Sequence, residues 1–238
     1  MPPSASIADP VDLLVFGPHP DDLEIGLGGS IARHASEGRR IGLCDLTAGE
    51  MGSNGTPEER LGEAEAARRA LGAAWRHNFR WPDRRIGKEA HHIDDAVALI
   101  RRSRPSVVAV PFWSDRHPDH VAASALLTEA VFNAGLRRYP GQGDAWKPAW
   151  TCYYFINDSA PPSFVIDVSG HYETKRAALA CHASQFRSDA AVRTRLNSPQ
   201  FRQLIESRDA QFGAQAGVAW AEGVVVREPV LRGGLFKD

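Results

Sequence analysis

Val11-Asp-Leu-Leu-Val-Phe-Gly17 runs straight into Pro18-His-Pro-Asp-Asp22. The first seven residues form a short, mostly apolar run closed by Gly-Pro, the signature of a buried strand with a punctuated end. Helical length follows from Leu23 to Ser36, with Gly26, Gly28 and Gly29 in its early turns, where glycine lets a helix lie close on a sheet. Arg40 to Leu46 reads as a second strand, and Thr47 to Thr56 as a loop holding three glycines. Thr56 suits an N-cap, with Pro57 at N1 and Glu59 three positions on, so a helix is expected from Pro57 to about Leu71, stopped by Gly72. Trp75 to Trp81 reads as a short strand, His92 to Ser103 as a helix ending before Pro105, Ser106 to Phe112 as a Val-rich strand, and Pro118 to Gly135 as a helix. This alternation predicts an α/β fold: a doubly wound, mostly parallel sheet with helices on both faces. Beyond it, Trp150 to Ile156 and Ser163 to Val168 are expected strands, Tyr172 to Ala183 and Pro199 to Phe212 expected helices, and Val218 to Val226 a closing strand. Ser188 to Pro199 has the least pattern and reads as a mobile loop. With no linker or repeat in view, residues 11–238 read as a single domain after an N-terminal extension, residues 1–10.

Composition removes several classes of function. The 238 residues carry 28 Lys+Arg against 29 Asp+Glu, so the basic excess of a nucleic-acid binder is missing. No apolar run exceeds about Val107 to Trp113, too short to cross a bilayer, and no signal peptide is read in Met1 to Pro10. The expectation is a cytoplasmic protein with neither nucleic acid nor membrane as partner. Cys44, Cys152 and Cys181 are too few and too scattered for a disulfide framework, and read as reduced thiols. No G-x-G-x-x-G, P-loop or G-x-S-x-G motif occurs, which sets aside dinucleotide, nucleotide and serine-hydrolase chemistry.

Chemistry concentrates in two turns. His19-Pro-Asp-Asp22 follows the first strand, and Arg116-His-Pro-Asp-His120 follows the strand at 106–112. Open parallel sheets bind ligands outside the carboxyl ends of their strands, where strand order reverses. If these two strands flank that point, one crevice holds His19, His117 and His120 with Asp21, Asp22 and Asp119. Imidazole with carboxylate suits zinc, and a catalytic zinc takes three protein ligands and leaves one position open. The i, i+3 spacing aims His19 and Asp22 at one point, which leaves Asp21 to act as a base and one of His117 and His120 to steady an oxyanion. The bland alternative for each turn alone is a helix N-terminus, with Asp accepting backbone N–H groups and Pro at N1.

The pair His19-Pro-Asp-Asp22 and His117-Pro-Asp-His120 resembles the zinc-dependent LmbE/PIG-L family of N-acetylglucosamine de-N-acetylases. Cys44-Asp-Leu-Thr47, Ser53-Asn-Gly-Thr56, Pro82-Asp-Arg84, Ala134-Gly-Leu-Arg137, Ser184-Gln-Phe186 and Ala221-Glu-Gly223 resemble, within it, the N-acetyl-glucosaminyl-malate deacetylases of bacillithiol biosynthesis. The resemblance implies a Rossmann-like fold and one Zn2+ per chain on His19, Asp22 and His120. It implies Asp21 as general base and His117 as oxyanion donor. Arg60 would hold a sugar hydroxyl, and Ser53 and Asn54 would line the substrate site. It further implies a small-molecule glycoside as substrate and a homo-oligomer, commonly a hexamer in that branch. The implied activity is hydrolysis of the acetamide of an N-acetylglucosamine conjugate, the malate conjugate first. The alternatives are a chitin oligomer, an inositol conjugate or an antibiotic glycolipid as substrate, or a non-catalytic sugar-binding module. From spacing alone, Arg60 is equally an i, i+3 partner of Glu63, and Asn54-Gly55 equally a plain turn. Family members carry a tyrosine where this chain has Gln200.

Overall fold

The computed structural model describes residues 9–189 and 192–231, so most of the N-terminal extension, residues 1–8, lies outside the described residues. Five strands, β1 (Leu13–Gly17), β2 (Ile41–Thr47), β3 (Trp75–Trp81), β4 (Val107–Pro111) and β5 (Trp150–Tyr154), pair in parallel in the order β3-β2-β1-β4-β5. The helices between them are α1 (Asp22–Ser36), α2 (Pro57–Leu71), α3 (His91–Ser103) and α4 (Pro118–Ala134). Order reverses at β1, whose Leu13 pairs with Ile41 on one side and Val107 on the other. The doubly wound expectation therefore holds, with β1 and β4 flanking the switch point.

Period-two side chains give the sheet two apolar faces. Leu14, Phe16, Val108 and Val110 pack with Val97 and Ile100 of α3 and Leu127 of α4. Val15 and Ala109 face the other way, onto Leu23, Ile25 and Ile31 of α1 and Leu71 of α2. A Cβ on Gly26 would sit 2.2 Å from the Tyr154 ring, so glycine is what lets α1 reach the sheet there. Thr56 and Glu59 form the expected capping box at α2, a device worth about 1 kcal/mol.

The second half departs from its reading in three places. The last strand, β7 (Ala221–Val225), does not close the sheet at its edge; it inserts antiparallel between β5 and β6 (Phe164–Asp167). Strand direction at a sheet's end follows from long-range pairing, which local pattern does not encode. The helix expected over Tyr172 to Ala183 breaks at His182 into α5 (Tyr172–Cys181) and the one-turn α6 (Ala183–Phe186). Ser184 donates from both its backbone N and its hydroxyl to Glu63 of α2, and that tie bends the chain. Finally, α7 (Pro199–Ala216) runs one turn past Phe212 and stops at Gly217, at φ 80°. The loop expected to be mobile is stitched where it is described: Asn197 donates to Val192 O, Asn197 Oδ1 accepts from Thr194 N, and Ser198 donates to Arg195 O. All three cysteines are free thiols.

Candidate active site

Both histidine turns lie at the carboxyl ends of β1 and β4, on the two sides of the switch point. The first is pinned by β2, since Thr47 N and Oγ1 both donate to Pro18 O. Its backbone is forced: Asp21 sits at φ 117°, ψ −29°, a region that costs a non-glycine residue about 1–3 kcal/mol. Asp21 occupies the N-cap position of α1 yet makes no side-chain cap. Its carboxylate is buried and lies 3.4 Å from Arg60 Nη2. Burial pushes the Asp21 pKa up to about 6, against the pull of Arg60.

Asp22 is the hub. Its Oδ2 lies 3.1 Å from His19 Nδ1 and 3.3 Å from His120 Nε2. Around a tetrahedral zinc with ligands at about 2.0–2.1 Å, neighbouring ligand atoms are about 3.3 Å apart, so the two edges that meet at Asp22 have the length that ion needs. Ligand atoms of His19 also lie within 4.8 Å of those of His117 and His120, and, as a second group, of those of Asp83 and Asp119. The surroundings also favour positive charge. Burial opposes charge on His120, but Asp22 and Asp115 outweigh it and raise its pKa to about 9. Burial opposes charge on His19 too, and Asp119, Asp22 and Asp83 override it, holding that pKa well above the usual value. A cage that holds protons on two imidazoles is a cage that a cation can occupy in their place. Each outward ring nitrogen has a carboxylate: His120 Nδ1 lies 3.1 Å from Asp115 Oδ1, and His19 Nε2 lies 3.2 Å from Asp83 Oδ1 and 3.4 Å from Asp119 Oδ2. Carboxylates placed behind metal-binding imidazoles fix the ring orientation and tautomer.

His117 also has a nitrogen within 4.8 Å of those of His19 and His120, and its ring stacks on His120 at 4.6 Å. Its Nδ1, however, accepts from Asp119 N as the N-cap of α4. That use of Nδ1 puts the proton on Nε2 and makes His117 a hydrogen-bond donor. Burial, then the charges of His120 and His19, lower its pKa, which keeps the ring neutral.

The remaining expected residues are placed differently. Arg60 is only 4% exposed; it donates to Gly49 O at 2.9 Å and Pro20 O at 2.8 Å, so it clamps the loop after β2 against the first turn. A Cβ on Gly49 would lie 1.9 Å from its guanidinium. The i, i+3 reading with Glu63 fails, because Glu63 is taken by Ser184. Asn54 is no plain turn residue: its amide donates to Val192 O and accepts from Val192 N, holding the 192–198 segment. Ser53 is exposed beside it, and Gln200 is exposed on the first turn of α7. Asp83, Asp115 and Asn157 escaped sequence reasoning. Asp115 accepts from His117 N, Asn157 N and Asn157 Nδ2, and so joins the second turn to the segment after β5. For Asp83 a signal existed in Pro82-Asp-Arg84, whose arginine donates to Asp119.

Residues 14–131, from β1 into α4, match the family described as PIG-L, GlcNAc-PI de-N-acetylase; the match spans both turns and the switch point. A Rhodococcus opacus 1D-myo-inositol 2-acetamido-2-deoxy-alpha-D-glucopyranoside deacetylase is 30% identical, over 73% of this chain and 81% of that protein. The chain belongs to the PIG-L family. Its fellow members include the Thermococcus kodakarensis diacetylchitobiose deacetylase, 29% identical over 89% of this chain and 81% of that one. A solved structure, the conserved protein TT1542 from Thermus thermophilus, is 38% identical with a TM-score of 0.86, covering 96% of this chain and all of that one. The family is one of hydrolytic N-deacetylases, so the chain is an enzyme by membership. Among the described residues no helix is long and apolar enough to cross a membrane.

Proposed function

We propose that this PIG-L member hydrolyses the acetamide of an N-acetylglucosaminyl glycoside with one zinc held by His19, Asp22 and His120. The observation that carries the reading is the meeting of His19, Asp22 and His120 around one oxygen, with Asp21 and His117 beside them. When bound, zinc supplies polarisation of the acetamide carbonyl and a more acidic water. Asp21 takes the proton from the attacking water as the C–O bond forms. His117 donates its Nε2 proton as a hydrogen bond to the carbonyl oxygen while that oxygen gains charge. As the C–N bond breaks, protonated Asp21 passes its proton to the departing amine, leaving acetate and the free amino sugar. Arg60 keeps the loop and Asp21 in register from below. The strained backbone at Asp21 supports an enzyme over a sugar-binding module, which has no use for that cost.

The names of the relatives favour a sugar or inositol aglycone. The malate conjugate of bacillithiol synthesis is the second reading, favoured by Arg195. That half-buried guanidinium lies 5.2 Å over the Phe201 ring, 3.5 Å from Asn157 Oδ1. Burial and the charge of Arg116 lower its pKa against the opposing pull of Asp158 and Asp115, and a pair of neighbouring arginines suits an anion. The same family resemblance and the free thiols support a cytoplasmic homo-oligomer. The deciding experiment is acetate release by zinc-loaded protein from free N-acetylglucosamine, diacetylchitobiose, and the inositol and malate conjugates. Glycosides are expected to exceed the free sugar in kcat/KM. Release from none of them rejects the deacetylase reading. A lead for the malate conjugate that Arg195→Ala abolishes selects the second aglycone.

A further inference from the structure

Helix α1 is two helical pieces. Leu27 leaves helical geometry at φ −134°, ψ 16°, separating the turn that carries Asp22 from the rest. Such a break orphans backbone groups in a buried place, and each orphan must find a partner. Ile25 O accepts from Arg208 Nη2 at 2.7 Å. On the other side, Gly29 N donates to Glu222 Oε1 at 2.9 Å and Ser30 N to Glu222 Oε2 at 2.7 Å. One carboxylate from β7 thus starts the second piece of the helix.

These two side chains belong to one cluster. Lys175 Nζ donates to Glu222 Oε1 at 2.6 Å and Asp209 Oδ2 at 2.7 Å. Tyr172 OH donates to Asp209 Oδ2, and Arg208 Nε to Asp209 Oδ1. Arg208 also donates to Phe155 O and Ile156 O, just beyond β5. Lys175, Asp209 and Glu222 are wholly buried, and two cations balance two anions. Taking four charges out of water is costly, and apolar side chains would fill the same space at lower cost. Apolar side chains would leave Ile25 O, Gly29 N and Ser30 N unpaired, and the break would close or shift.

We infer that Glu222, Lys175 and Arg208 are positioning residues: their buried cluster holds α1 broken at Leu27 and thereby aims Asp22 at the metal. The inference rests on the metal reading above. Asp22 stands one turn before Ile25, whose N donates to Asp21 O and whose carbonyl Arg208 grips, so a shift of the break moves the Asp22 carboxylate relative to His120. The Ala221-Glu-Gly223 motif acquires a purpose in this way.

Zinc affinity by chelator competition, with the visible spectrum of the cobalt-substituted protein, tests it on Glu222→Gln and Arg208→Lys. In Gln one of the two carboxylate oxygens becomes an NH2 group, which cannot accept, so the separate acceptors that Gly29 N and Ser30 N each use are no longer both present. A Lys keeps the charge of Arg208 but cannot span Asp209, Ile25 O and the Phe155 carbonyl together. Both variants are expected to bind zinc at least tenfold more weakly, in the range found for residues that orient metal ligands, with an altered cobalt spectrum. Arg208→Lys, with its charge balance intact, provides the reading if Glu222→Gln does not fold. Zinc affinity within twofold of wild type and an unchanged cobalt spectrum in a folded variant overturn the inference, whatever the melting temperature. A wild-type chain that takes up no metal overturns the metal reading itself, and this inference with it.

Discussion

The two histidine turns share three letters, His-Pro-Asp, and a place after a core strand, yet their backbones do opposite things. At 117–120 the chain enters α4 in the ordinary way, with His117 extended at φ −87° and capping the Asp119 amide. At 19–22 the chain enters α1 through a left-handed Asp21 that caps nothing. The second turn satisfies its helix with a side chain that would otherwise be free. The first gives up its cap and accepts strain to leave a buried carboxylate free of the helix, with Arg60 as its ion-pair partner. The same short motif thus makes a donor with a set tautomer in one place and an acceptor with a raised pKa in the other. The bland reading of each turn as a helix start holds in part at both: Asp22 Oδ2 accepts from His19 N at the first and Pro118 occupies N1 of α4 at the second, but no Asp side chain caps either helix.

The largest effect is expected where the two turns join. His120→Ala removes one of the three proposed metal ligands, and both bound metal and acetate release should fall to background. Elemental analysis of the purified variant is the check, and a full complement of metal would dissolve the link between the turns. Next comes Asp21→Asn, in which the new amide side chain tolerates the left-handed backbone and keeps the fold. Metal content should stay whole while kcat falls roughly 10²–10⁴-fold, the usual loss of a general base. Full activity in Asp21→Asn would mean that the strain at this turn serves something other than proton transfer.

The second turn can be split into its two duties. His117→Ala should lose both cap and donor: about 1 kcal/mol of stability and about 10²-fold or more in kcat. His117→Asn restores a good cap, so its melting temperature should return to wild type while its kcat does not. Equal recovery of both would reduce His117 to a structural cap. The smallest effect belongs to Gln200, exposed at the start of α7. Gln200→Ala should cost less than tenfold in kcat, under about 1.4 kcal/mol of transition-state stabilisation. A collapse of kcat would show that this glutamine reaches the oxyanion from outside both turns.

The sequence made some of this plain and hid the rest for physical reasons. The Pro57–Leu71 helix was legible to the residue because its Thr-Pro-x-Glu start and Gly72 stop are local chemistry. The break of α5 at His182 was not legible, since Glu63, the residue responsible, stands more than a hundred positions away. Arg60 had a surface pairing with Glu63 as one reading, because nothing local says that Gly49 and Pro20 will offer it their carbonyls. Asp83 and Asp115 were passed over because each takes its role from an imidazole that only the folded crevice brings to it.

By itself, then, the order of residues determined the alternation of strand and helix and the two histidine turns, each directly after a core strand; that strand order reverses at β1, between them, came only with the fold. Hydrophobic period, caps and turn residues act over a few positions, and they are written where they act. Tertiary structure decided what these parts do to one another. It inserted β7 between β5 and β6, broke α1 over Glu222 and Arg208, and sent Arg60 under the loop to Asp21. Those outcomes follow from buried polar groups finding partners far along the chain, and a buried charge takes its meaning from whatever the fold brings to it.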